Sequence, residues 1–281
     1  MKTIRTARVM AAWSAAHHRE GVTIGLVPTM GALHAGHRAL IRAARLSCDA
    51  VVVSLFVNPT QFGPNEDFSR YPRKSKADAA LCKKEGVDVL FAPPVEEIYP
   101  DGFQTTVVVP KLARRWEGEL RPGHFAGVAT VVTKLLALVR PTVAVFGQKD
   151  FQQAALIKRL VEDLNLGARV IVYPTVREAD GLALSSRNMY LTAAQRRAAP
   201  VLFQALLAGR AAIRAGVRSG AGIRQTMRRV VGQESLAKVD YLAVCDPDTL
   251  EPLARVRECA VLLGAIRIGR VRLIDNLLVT C

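Results

Sequence analysis

Long hydrophobic runs and paired cysteines are both missing from this sequence of 281 residues. The longest apolar run, residues 259–266 with Gly264 taken as neutral, has about eight residues, whereas a helix that spans a bilayer needs about 20. The five cysteines are odd in number and form no Cys-X-X-Cys pair. We therefore expect no transmembrane helix, no disulfide framework and no protein-bound zinc, with the thiols buried in a reducing compartment. The cysteines are Cys48, Cys82, Cys245, Cys259 and Cys281.

Low-complexity segments and internal repeats are also absent, while half of the residues are hydrophobic and 22% are charged. This composition excludes a disordered chain and supplies enough apolar surface for a sizeable core. Basic residues before the apolar stretch 9–16 faintly resemble a secretory signal, but the stretch is short and a strand pattern follows soon after it. We therefore predict a short amphipathic helix there, in a cytoplasmic protein.

Acidic residues are scarce relative to basic ones, because 24 Asp and Glu stand against 39 Lys and Arg, for a formal net charge of +15. Between residues 193 and 238, nine basic side chains accompany one acid, Glu234. A basic run is compatible with nucleic-acid binding, but no recognised binding module accompanies it. We interpret the run as a solvated basic helix face and expect no nucleic-acid partner. A negatively charged small substrate would also favour a basic protein.

The first part of the chain alternates between strand and helix patterns. Apolar runs predict strands at 23–27, 49–57, 87–91, 142–146 and 169–172. Helical spacing of apolar residues predicts helices at 36–48, 75–85, 128–139 and 151–164. This alternation indicates βαβ units, and so an α/β fold whose Rossmann-like parallel sheet is flanked by helices. Ligands on such sheets bind beyond the carboxyl ends of the strands.

The pattern changes in the last third of the chain. Thr192 and Gln195 form a capping-box pattern that predicts a helix start, and Pro200 predicts an interruption of the helical region that follows. The strands predicted after it are 239–245, 260–268 and 271–274. We therefore predict a Rossmann-like domain at residues 1–175 and a second, smaller α+β domain at residues 176–281.

Residues 28–37 come directly after the first predicted strand and directly before a helix. Gly31 and Gly36 allow the backbone to approach a ligand closely. The start of the helix turns free N–H groups and its positive dipole end towards the loop, which suits a phosphate. His34 and His37 add hydrogen-bond donors. Histidines at this spacing also occur as metal ligands or in polar packing, but no third ligand follows to complete a zinc site.

Two further segments are predicted to reach the same site. Residues 146–150 lie between a strand and a helix, so they should reach the same edge of the sheet. Lys149 is placed to meet a phosphate, and Asp150 either caps the helix or contacts a magnesium ion. The serine–serine–arginine sequence at 185–187 lies near a glycine and forms a candidate anion-binding loop.

Amide side chains beside these loops are candidates for binding a second substrate. Asn58, Thr60 and Gln61 follow the second predicted strand, and Gln152 and Gln153 open a helix. Amides recognise hydroxyl and carboxylate groups without adding a competing charge. Turn and cap chemistry is the alternative, above all for Asn58, which precedes a proline.

Five long motifs, in this order, resemble those of the pantothenate synthetase (pantoate–β-alanine ligase) family. They are PTMGALHAGH at 28–37, SLFVNPTQFGPNEDFSRYPR at 54–73, RPGHFAGVATVVTKLL at 121–136, FGQKDFQQ at 146–153 and PTVREADGLALSSRNMYL at 174–191. The similarity runs along nearly the whole chain and thins between about 200 and 235. That family belongs with the HIGH-motif nucleotidylyltransferases. Residues 34–37 resemble their HIGH sequence, and residues 185–187 stand where their KMSKS loop would be.

The resemblance implies an enzyme. It would be an AMP-forming carbon–nitrogen ligase of pantothenate and coenzyme A biosynthesis that condenses (R)-pantoate with β-alanine through a pantoyl-adenylate, with release of pyrophosphate from ATP. Residues 1–175 would bind nucleotide and pantoate, and residues 176–281 would close the ATP site with the serine–serine–arginine loop. The resemblance further implies Mg²⁺ held mainly by ATP and water, and a homodimer.

The resemblance also implies the site residues. The ATP site would comprise Met30, Gly31, Ala32, Leu33, His34, Ala35, Gly36, His37, Gly147, Gln148, Lys149, Asp150, Val176, Leu184, Ser185, Ser186 and Arg187. Gln61 and Gln153 would hold pantoate, with Asn58 as a further candidate, and Gln61 would also lie near β-alanine. The catalytic side chains would be His34, His37, Lys149 and Arg187, with His37 as a proton donor to a phosphate oxygen.

Two other functions stay open at the level of the sequence. Another HIGH-motif nucleotidylyltransferase would share the histidine and serine–arginine motifs, but it would need a basic acceptor pocket in place of Gln61 and Gln153. A non-catalytic protein that binds nucleic acid would instead use the +15 net charge.

Overall fold

The structure, a computed structural model, describes residues 1–64 and 66–280. The chain forms two compact units. The first comprises Met1–Gly147 and Gln153–Pro174, and the second comprises Gln148–Gln152 and Thr175–Cys281. The predicted buried thiol of Cys281 lies outside the described residues. Of the described cysteines, Cys48, Cys82 and Cys245 are buried free thiols and Cys259 is a half-buried one.

A parallel sheet of six strands forms the centre of the first unit. Its strands are β1 Lys2–Ile4, β2 Ile24–Thr29, β3 Ala50–Leu55, β4 Val89–Phe91, β5 Val143–Gly147 and β6 Arg169–Tyr173. They lie in the order β1-β4-β3-β2-β5-β6, and every pair is parallel. The predicted Rossmann-like α/β fold is therefore confirmed. The strand order reverses between β2 and β5, and it is outside the carboxyl ends at such a point that ligands bind.

Helices connect and cover these strands. They are α1 Ala7–Arg19, α2 Ala35–Ser47, α3 Ser75–Lys84, α4 Val95–Ile98, α5 Pro110–Ala113, α6 Glu117–Leu120, α7 His124–Val139 and α8 Phe151–Asp163, the last beginning in the second unit. Strand β1 carries too short a pattern for recognition and was not predicted. Helix α7 starts four residues before the predicted 128, because the left-handed backbone of Gly123, with φ of 82°, turns the chain directly into it.

Helix α2 is fixed on the sheet by small and aliphatic side chains. Ile41 and Ala44 are fully buried against the strands. Gly25 in β2 lets the helix approach, because a Cβ there would lie 3.2 Å from Cβ of Ala44. Burying a side chain such as that of Ile41 contributes about 1.5–3 kcal/mol. The start of α2 is thereby held at the carboxyl end of β2.

The second unit packs helices on an antiparallel sheet. Its elements are α9 Ala193–Ala198, α10 Val201–Arg214, α11 Gly220–Val231, β7 Ala237–Cys245, β8 Cys259–Ile268 and β9 Val271–Thr280, with strand order β7-β8-β9. Fully buried Leu206, Ile213 and Met227 belong to its core. The predicted smaller α+β fold, the capping box at Thr192 and the break near Pro200 are confirmed.

The predicted end of the last strand at residue 274 is wrong. Strand β9 continues through Asp275 and Asn276, which pair with Gly264 and Leu263 of β8. Both side chains are buried, so these polar residues interrupt the apolar pattern without ending the strand. Within the part of the chain that the structure describes, no helix has the length and apolar character to cross a membrane.

Candidate functional site

The loop after β2 is held in shape by a carboxylate from another helix. Asp78 on α3 is 3% exposed and accepts hydrogen bonds from the backbone N–H groups of Ala32 at 3.0 Å and Leu33 at 2.8 Å. Gly31 has a φ of 91°, and a Cβ there would lie 2.9 Å from Cδ1 of Leu55, so the position requires glycine. Sequence analysis missed Asp78 because it belongs to a distant helix and follows no recognisable motif.

His34 and His37 cap the start of α2 through reciprocal hydrogen bonds. Nδ1 of His34 accepts from the backbone N–H of Gly36, and Nδ1 of His37 accepts from the backbone N–H of His34, each at 3.2 Å. The two ring centroids are 4.1 Å apart. Because an accepting Nδ1 leaves the hydrogen of a neutral imidazole on Nε2, each ring keeps a donor on its far nitrogen. The backbone N–H groups at the helix start are also suited to a phosphate.

Asn58 is the centre of a hydrogen-bonded amide cluster after β3. It is 1% exposed. Its Nδ2 donates to Oε1 of Gln61 and to the carbonyl of Gly127, each at 3.1 Å. Its Oδ1 accepts from the hydroxyls of Tyr99 and Thr60, each at 2.9 Å. The amide is thus engaged by the protein itself, and these contacts favour a positioning role over the predicted direct contact with a substrate.

Protein groups already engage the side chain of Gln61, whose Oε1 accepts from Nδ2 of Asn58 at 3.1 Å. Gln61 is 8% exposed, and its Nε2 donates to Sδ of Met30 at 2.8 Å, which is a weak acceptor. Gln153 is half-buried in the first turn of α8. Both belong to the first unit, after β3 and β5.

The turn at Arg121–His124, which sequence analysis left without a role, fixes the backbone of Gln61. Nδ1 of His124 lies 2.8 Å from the carbonyl oxygen of Gln61, and Nη1 of Arg121 lies 2.9 Å from Nε2 of the same ring. Burial, helped by the charge of Arg121, lowers the pKa of His124 to about 4. The ring is therefore neutral, donating from Nδ1 and accepting at Nε2.

Arg121 is itself held by an acid. Its Nε and Nη2 donate to the two carboxylate oxygens of Glu66 at 2.6 and 2.7 Å. Burial by itself raises the pKa of Glu66, but the hydrogen bonds and the charge of Arg121 outweigh it, and the pKa is lowered overall. The carboxylate, the guanidinium and the imidazole thus form a chain that ends on the backbone of Gln61.

The second unit holds the lysine turn. Gln148, Lys149 and Asp150 form a single 3₁₀ turn, in which Nζ of Lys149 lies 3.6 Å from Oδ1 of Asp150. Asn276 of β9 donates from Nδ2 to the carbonyls of Gln148 at 2.8 Å and Lys149 at 3.0 Å. Nε2 of Gln148 donates in return to Oδ1 of Asn276 at 3.2 Å.

The predicted serine–serine–arginine loop follows a backbone hairpin in the same unit. The N–H of Leu184 donates to the carbonyl of Val176 at 3.0 Å, which brings two predicted ATP residues together. Oγ of Ser185 then accepts from the backbone N–H of Arg187 at 3.2 Å and caps the 3₁₀ turn Ser186–Tyr190.

Arg177 anchors this hairpin to β9. It donates to the two carboxylate oxygens of Asp275 at 2.5 and 2.9 Å and to the carbonyl of Gly181 at 3.0 Å. Its guanidinium carbon lies 3.7 Å from the centre of the Phe203 ring, a cation–π geometry. Gly181 has a φ of 92° and packs so closely that a Cβ there would lie 2.3 Å from Phe203.

The structure groups the predicted residues by unit. The first unit holds the predicted ATP residues Met30, Gly31, Ala32, Leu33, His34, Ala35, Gly36, His37 and Gly147, and also Asn58, Gln61 and Gln153. The second holds Gln148, Lys149, Asp150, Val176, Leu184, Ser185, Ser186 and Arg187. In residues 1–64 and 66–280, no three His, Cys, Asp or Glu side chains form a group that could hold a metal ion.

Comparisons with known proteins agree on one family. The sequence model of a family described as Pantoate-beta-alanine ligase matches residues 2–278. Pantothenate synthetase of Heliobacterium modesticaldum is 52% identical over 280 residues, which cover 99% of each chain. Pantothenate synthetase of Chloroflexus aggregans is 54% identical over 254 residues, which cover 90% of this chain and 92% of that one.

Solved structures are similar over the same length. Pantothenate synthetase from Thermus thermophilus superposes with a TM-score of 0.93 at 49% identity, covering 99% of both chains. Pantoate-beta-alanine ligase from Francisella tularensis, complexed with beta-gamma ATP and beta-alanine, superposes with a TM-score of 0.82 at 36% identity. That match covers 99% of this chain and 97% of the other.

Proposed function

Because this chain belongs to the pantoate–β-alanine ligase family, we propose that the site described above joins (R)-pantoate to β-alanine while ATP becomes AMP and pyrophosphate. The chain is an ATP-dependent carbon–nitrogen ligase of pantothenate and coenzyme A biosynthesis. The main structural support is the reciprocal histidine cap at the start of α2, which places the hydrogen of both imidazoles on Nε2 beside backbone N–H groups that suit a phosphate.

The reaction has two steps. A carboxylate oxygen of pantoate attacks the α-phosphorus of ATP, the bond to the bridging oxygen breaks, and pyrophosphate leaves. The amine of β-alanine then attacks the acyl carbon of the pantoyl-adenylate, AMP leaves and the nitrogen loses a proton. Since the first attacking group is already a carboxylate, that step requires no protein nucleophile. Catalysis then depends on positioning and on stabilising charge at the phosphates.

Phosphate binding in the first unit is proposed for the loop 28–37. His34 and His37 donate from Nε2 to phosphate oxygens, and His37 supplies the proton-donating contact at the reacting phosphate. The backbone N–H groups at the start of α2 add a field that favours anions. Asp78 takes no part in the chemistry but keeps the loop in its left-handed turn.

Positive charge in the second unit is proposed to come from Lys149 and Arg187, with Ser185 and Ser186 as further hydrogen-bond donors to the nucleotide. In the proposal, residues 1–175, which include Lys149, bind nucleotide and pantoate, and residues 176–281 close the ATP site with Arg187 and the two serines. Mg²⁺ enters with ATP as part of the substrate. Because Mg²⁺ keeps most of its water and phosphate ligands, we propose that ATP and water hold it, with Asp150 as the candidate protein contact.

Pantoate is proposed to bind through Gln61 and Gln153, whose amides suit its hydroxyl and carboxylate oxygens. Gln61 also lies near the β-alanine site in this proposal. Asn58 acts through Gln61, because its own amide is engaged by protein groups.

A homodimer in the cytoplasm is the remaining part of the proposal. Every residue of β6 from Val170 to Tyr173 is half-exposed, although strands of parallel sheets are usually covered on both faces. Ala39, Ala43 and Leu46 on α2 line a groove beside Ile171 and Tyr173, and Leu46 is 89% exposed. A second copy of the chain would cover this apolar surface. The described free thiols suit a reducing compartment.

Exchange of label between pyrophosphate and ATP tests the proposed function. We expect exchange that requires pantoate but not β-alanine, because adenylation precedes amide formation. AMP should then accumulate when β-alanine is added. Exchange that strictly requires β-alanine would contradict the two-step order. An acceptor other than pantoate would indicate another nucleotidylyltransferase, and salt-sensitive retention of RNA without turnover would indicate a nucleic-acid-binding protein.

A further inference from the structure

Two adjacent residues of β9 hold the two predicted ATP segments of the second unit. Asn276 is 1% exposed, and each hydrogen of its amide meets a backbone carbonyl of the lysine turn, at Gln148 and Lys149. Its oxygen accepts from the side chain of Gln148. Because a flipped amide would bring oxygen against two carbonyl oxygens, only one orientation of Asn276 fits, and the contact specifies the turn.

The neighbouring residue holds the hairpin that leads to residues 185–187. Both carboxylate oxygens of Asp275 accept from Arg177, and Oδ1 also accepts from the backbone N–H of Asn276 at 2.8 Å. Arg177 pairs with Ala183 across the hairpin and donates to the carbonyl of Gly181 at its tip. A bidentate pair between a guanidinium and a carboxylate fixes orientation as well as distance.

We propose that Asn276 and Asp275 are positioning residues that set the lysine turn and the 176–187 hairpin in register with each other, so that Lys149 and Arg187 reach one nucleotide together. The inference rests on the proposed function for the roles of those two cations. Neither Asn276 nor Asp275 needs to touch a substrate, since each acts on a segment that does.

A double-mutant cycle between Asn276 and Lys149 tests the proposal. We expect Asn276→Ala to lower the single-turnover rate of pantoyl-adenylate formation roughly 10- to 100-fold, the range for a misplaced reactive group, while KM for pantoate stays unchanged. In a Lys149→Ala background the same substitution should have less than about a twofold effect, because the side chain that it positions is already gone. An equal fold-loss of the single-turnover rate in both backgrounds would overturn the inference. So would an Asn276→Ala variant that forms the adenylate at the parent rate.

Hydrogen exchange supplies a readout that does not require activity. Asn276→Ala should speed amide exchange in the lysine turn about tenfold or more, while exchange in α10, α11 and β8 is unchanged. Asn276→Ser, which keeps a short donor, should lie between parent and alanine variant and serves if the alanine variant fails to fold. Unchanged exchange in the turn for both variants would contradict the proposal.

A matched control on the same strand is Leu278→Ala, whose side chain is 48% exposed. It should keep the parent rate and the parent exchange pattern. In the same kind of cycle, Asp275→Asn should lower the single-turnover rate of pantoyl-adenylate formation in the parent but have little further effect in an Arg187→Ala background. If the parent protein itself lacks pantoate-dependent exchange of pyrophosphate, the proposed function fails, whereas the hydrogen-exchange result still decides whether Asn276 orders the turn.

Discussion

At the scale of single residues, two imidazoles of the first unit use their nitrogens in opposite ways. His37 accepts at Nδ1 from the backbone and so keeps its hydrogen on Nε2. His124 donates from Nδ1 to the carbonyl of Gln61 and accepts at Nε2 from Arg121. Each tautomer follows from the partner of Nδ1. His37 therefore carries its hydrogen on Nε2, whereas His124 uses both ring nitrogens in contacts with Gln61 and Arg121.

Removing the Nε2 donor of His37 should slow adenylation while leaving the helix cap in place. We expect His37→Asn to lower the single-turnover rate of adenylate formation by roughly 10²–10³, the range for losing one preorganised donor. The Asn side chain can still accept from the backbone N–H of His34, so thermal stability should change little. ATP affinity should fall far less than the rate, as titration calorimetry would show. If His37→Asn formed adenylate at the parent rate and only bound ATP more weakly, His37 would contribute to ground-state binding and not to the transition state.

His124 should make the folded protein sensitive to acid. Its pKa is about 4 when folded and 6.5 when unfolded, so it is depressed by folding. As pH falls from 6.5 to 4, His124 binds a proton in the unfolded chain but not in the folded one, so the free energy of unfolding decreases. Between pH 7 and pH 5 this amounts to about 2 kcal/mol. Urea unfolding at both pH values should show that loss for the parent and not for His124→Gln. An equal decrease in the free energy of unfolding between pH 7 and pH 5 for the two proteins would contradict this assignment.

How much of the site the sequence could predict depends on what each residue bonds to. His34, His37 and Lys149 lie at the helix starts that follow strands β2 and β5, so their positions were predictable from strand–loop–helix order. Asp78 and Asn276 bond to backbone groups far away in the chain, and any residue type offers the same backbone partner. No complementary side chain therefore marks them in the sequence, and only the folded contacts reveal them.

At the scale of elements, α7 and the 3₁₀ turn at Pro59–Gln61 are packed backbone to backbone. Gly127 of α7 lies so close that a Cβ there would stand 2.4 Å from the carbonyl oxygen of Thr60 and 2.7 Å from the nitrogen of Gln61. The same glycine accepts from Asn58. Helix α7 therefore fixes the position of the turn that carries Thr60 and Gln61.

Forcing α7 and the 3₁₀ turn apart should raise KM for pantoate more than KM for ATP. Gly127→Ala must move the turn away from the helix, which costs about 1–3 kcal/mol of stability. We expect KM for pantoate to rise at least tenfold with KM for ATP nearly unchanged, measured by pyrophosphate exchange with each substrate varied. Gly63→Ala is the matched control, because its added Cβ would meet nothing closer than 3.8 Å. Unchanged KM for pantoate in Gly127→Ala would show that the turn does not form that site.

Strand β9 shows why element ends were harder to predict than element types. Asp275 and Asn276 interrupt an apolar pattern, and such an interruption normally indicates a turn. Here Arg177 and the lysine turn satisfy their polar groups, so the ladder with β8 continues to Thr280. Tertiary hydrogen bonds, which no local pattern contains, override the local preference.

At the scale of the whole molecule, the exposed surface along β6 and α2 is the proposed contact between two copies of the chain. Leu46→Glu places a charge at the centre of that surface on a side chain that is already 89% exposed, so the monomer should fold normally. Light scattering should find a dimer for the parent and a monomer for this variant. Val108→Glu changes the charge equally at another exposed apolar residue, 60% exposed, and should remain dimeric. A monomeric parent protein would contradict the proposed homodimer.

At least one arginine of the basic run at residues 193–238 forms ion pairs within the fold. Arg196 donates to Glu178 at 2.6 Å and to Asp180 at 2.5 Å, and both acids belong to the hairpin before residues 185–187. One member of the basic run is thus committed to supporting a predicted nucleotide segment. The predicted solvated helix face describes the exposed Arg214, Arg224 and Arg228 better.

The carboxylate of Asp78 has a consequence for anyone who wishes to transplant this phosphate-binding loop. A graft of residues 28–37 into another parallel sheet would carry both histidines and the glycines, yet it would leave behind the helix that supplies two hydrogen bonds to Ala32 and Leu33. Ala32 would then keep its unfavourable φ of 50° with nothing to hold it there, and the loop would relax. The smallest transferable module is therefore longer than the motif, because it must run from β2 through α3.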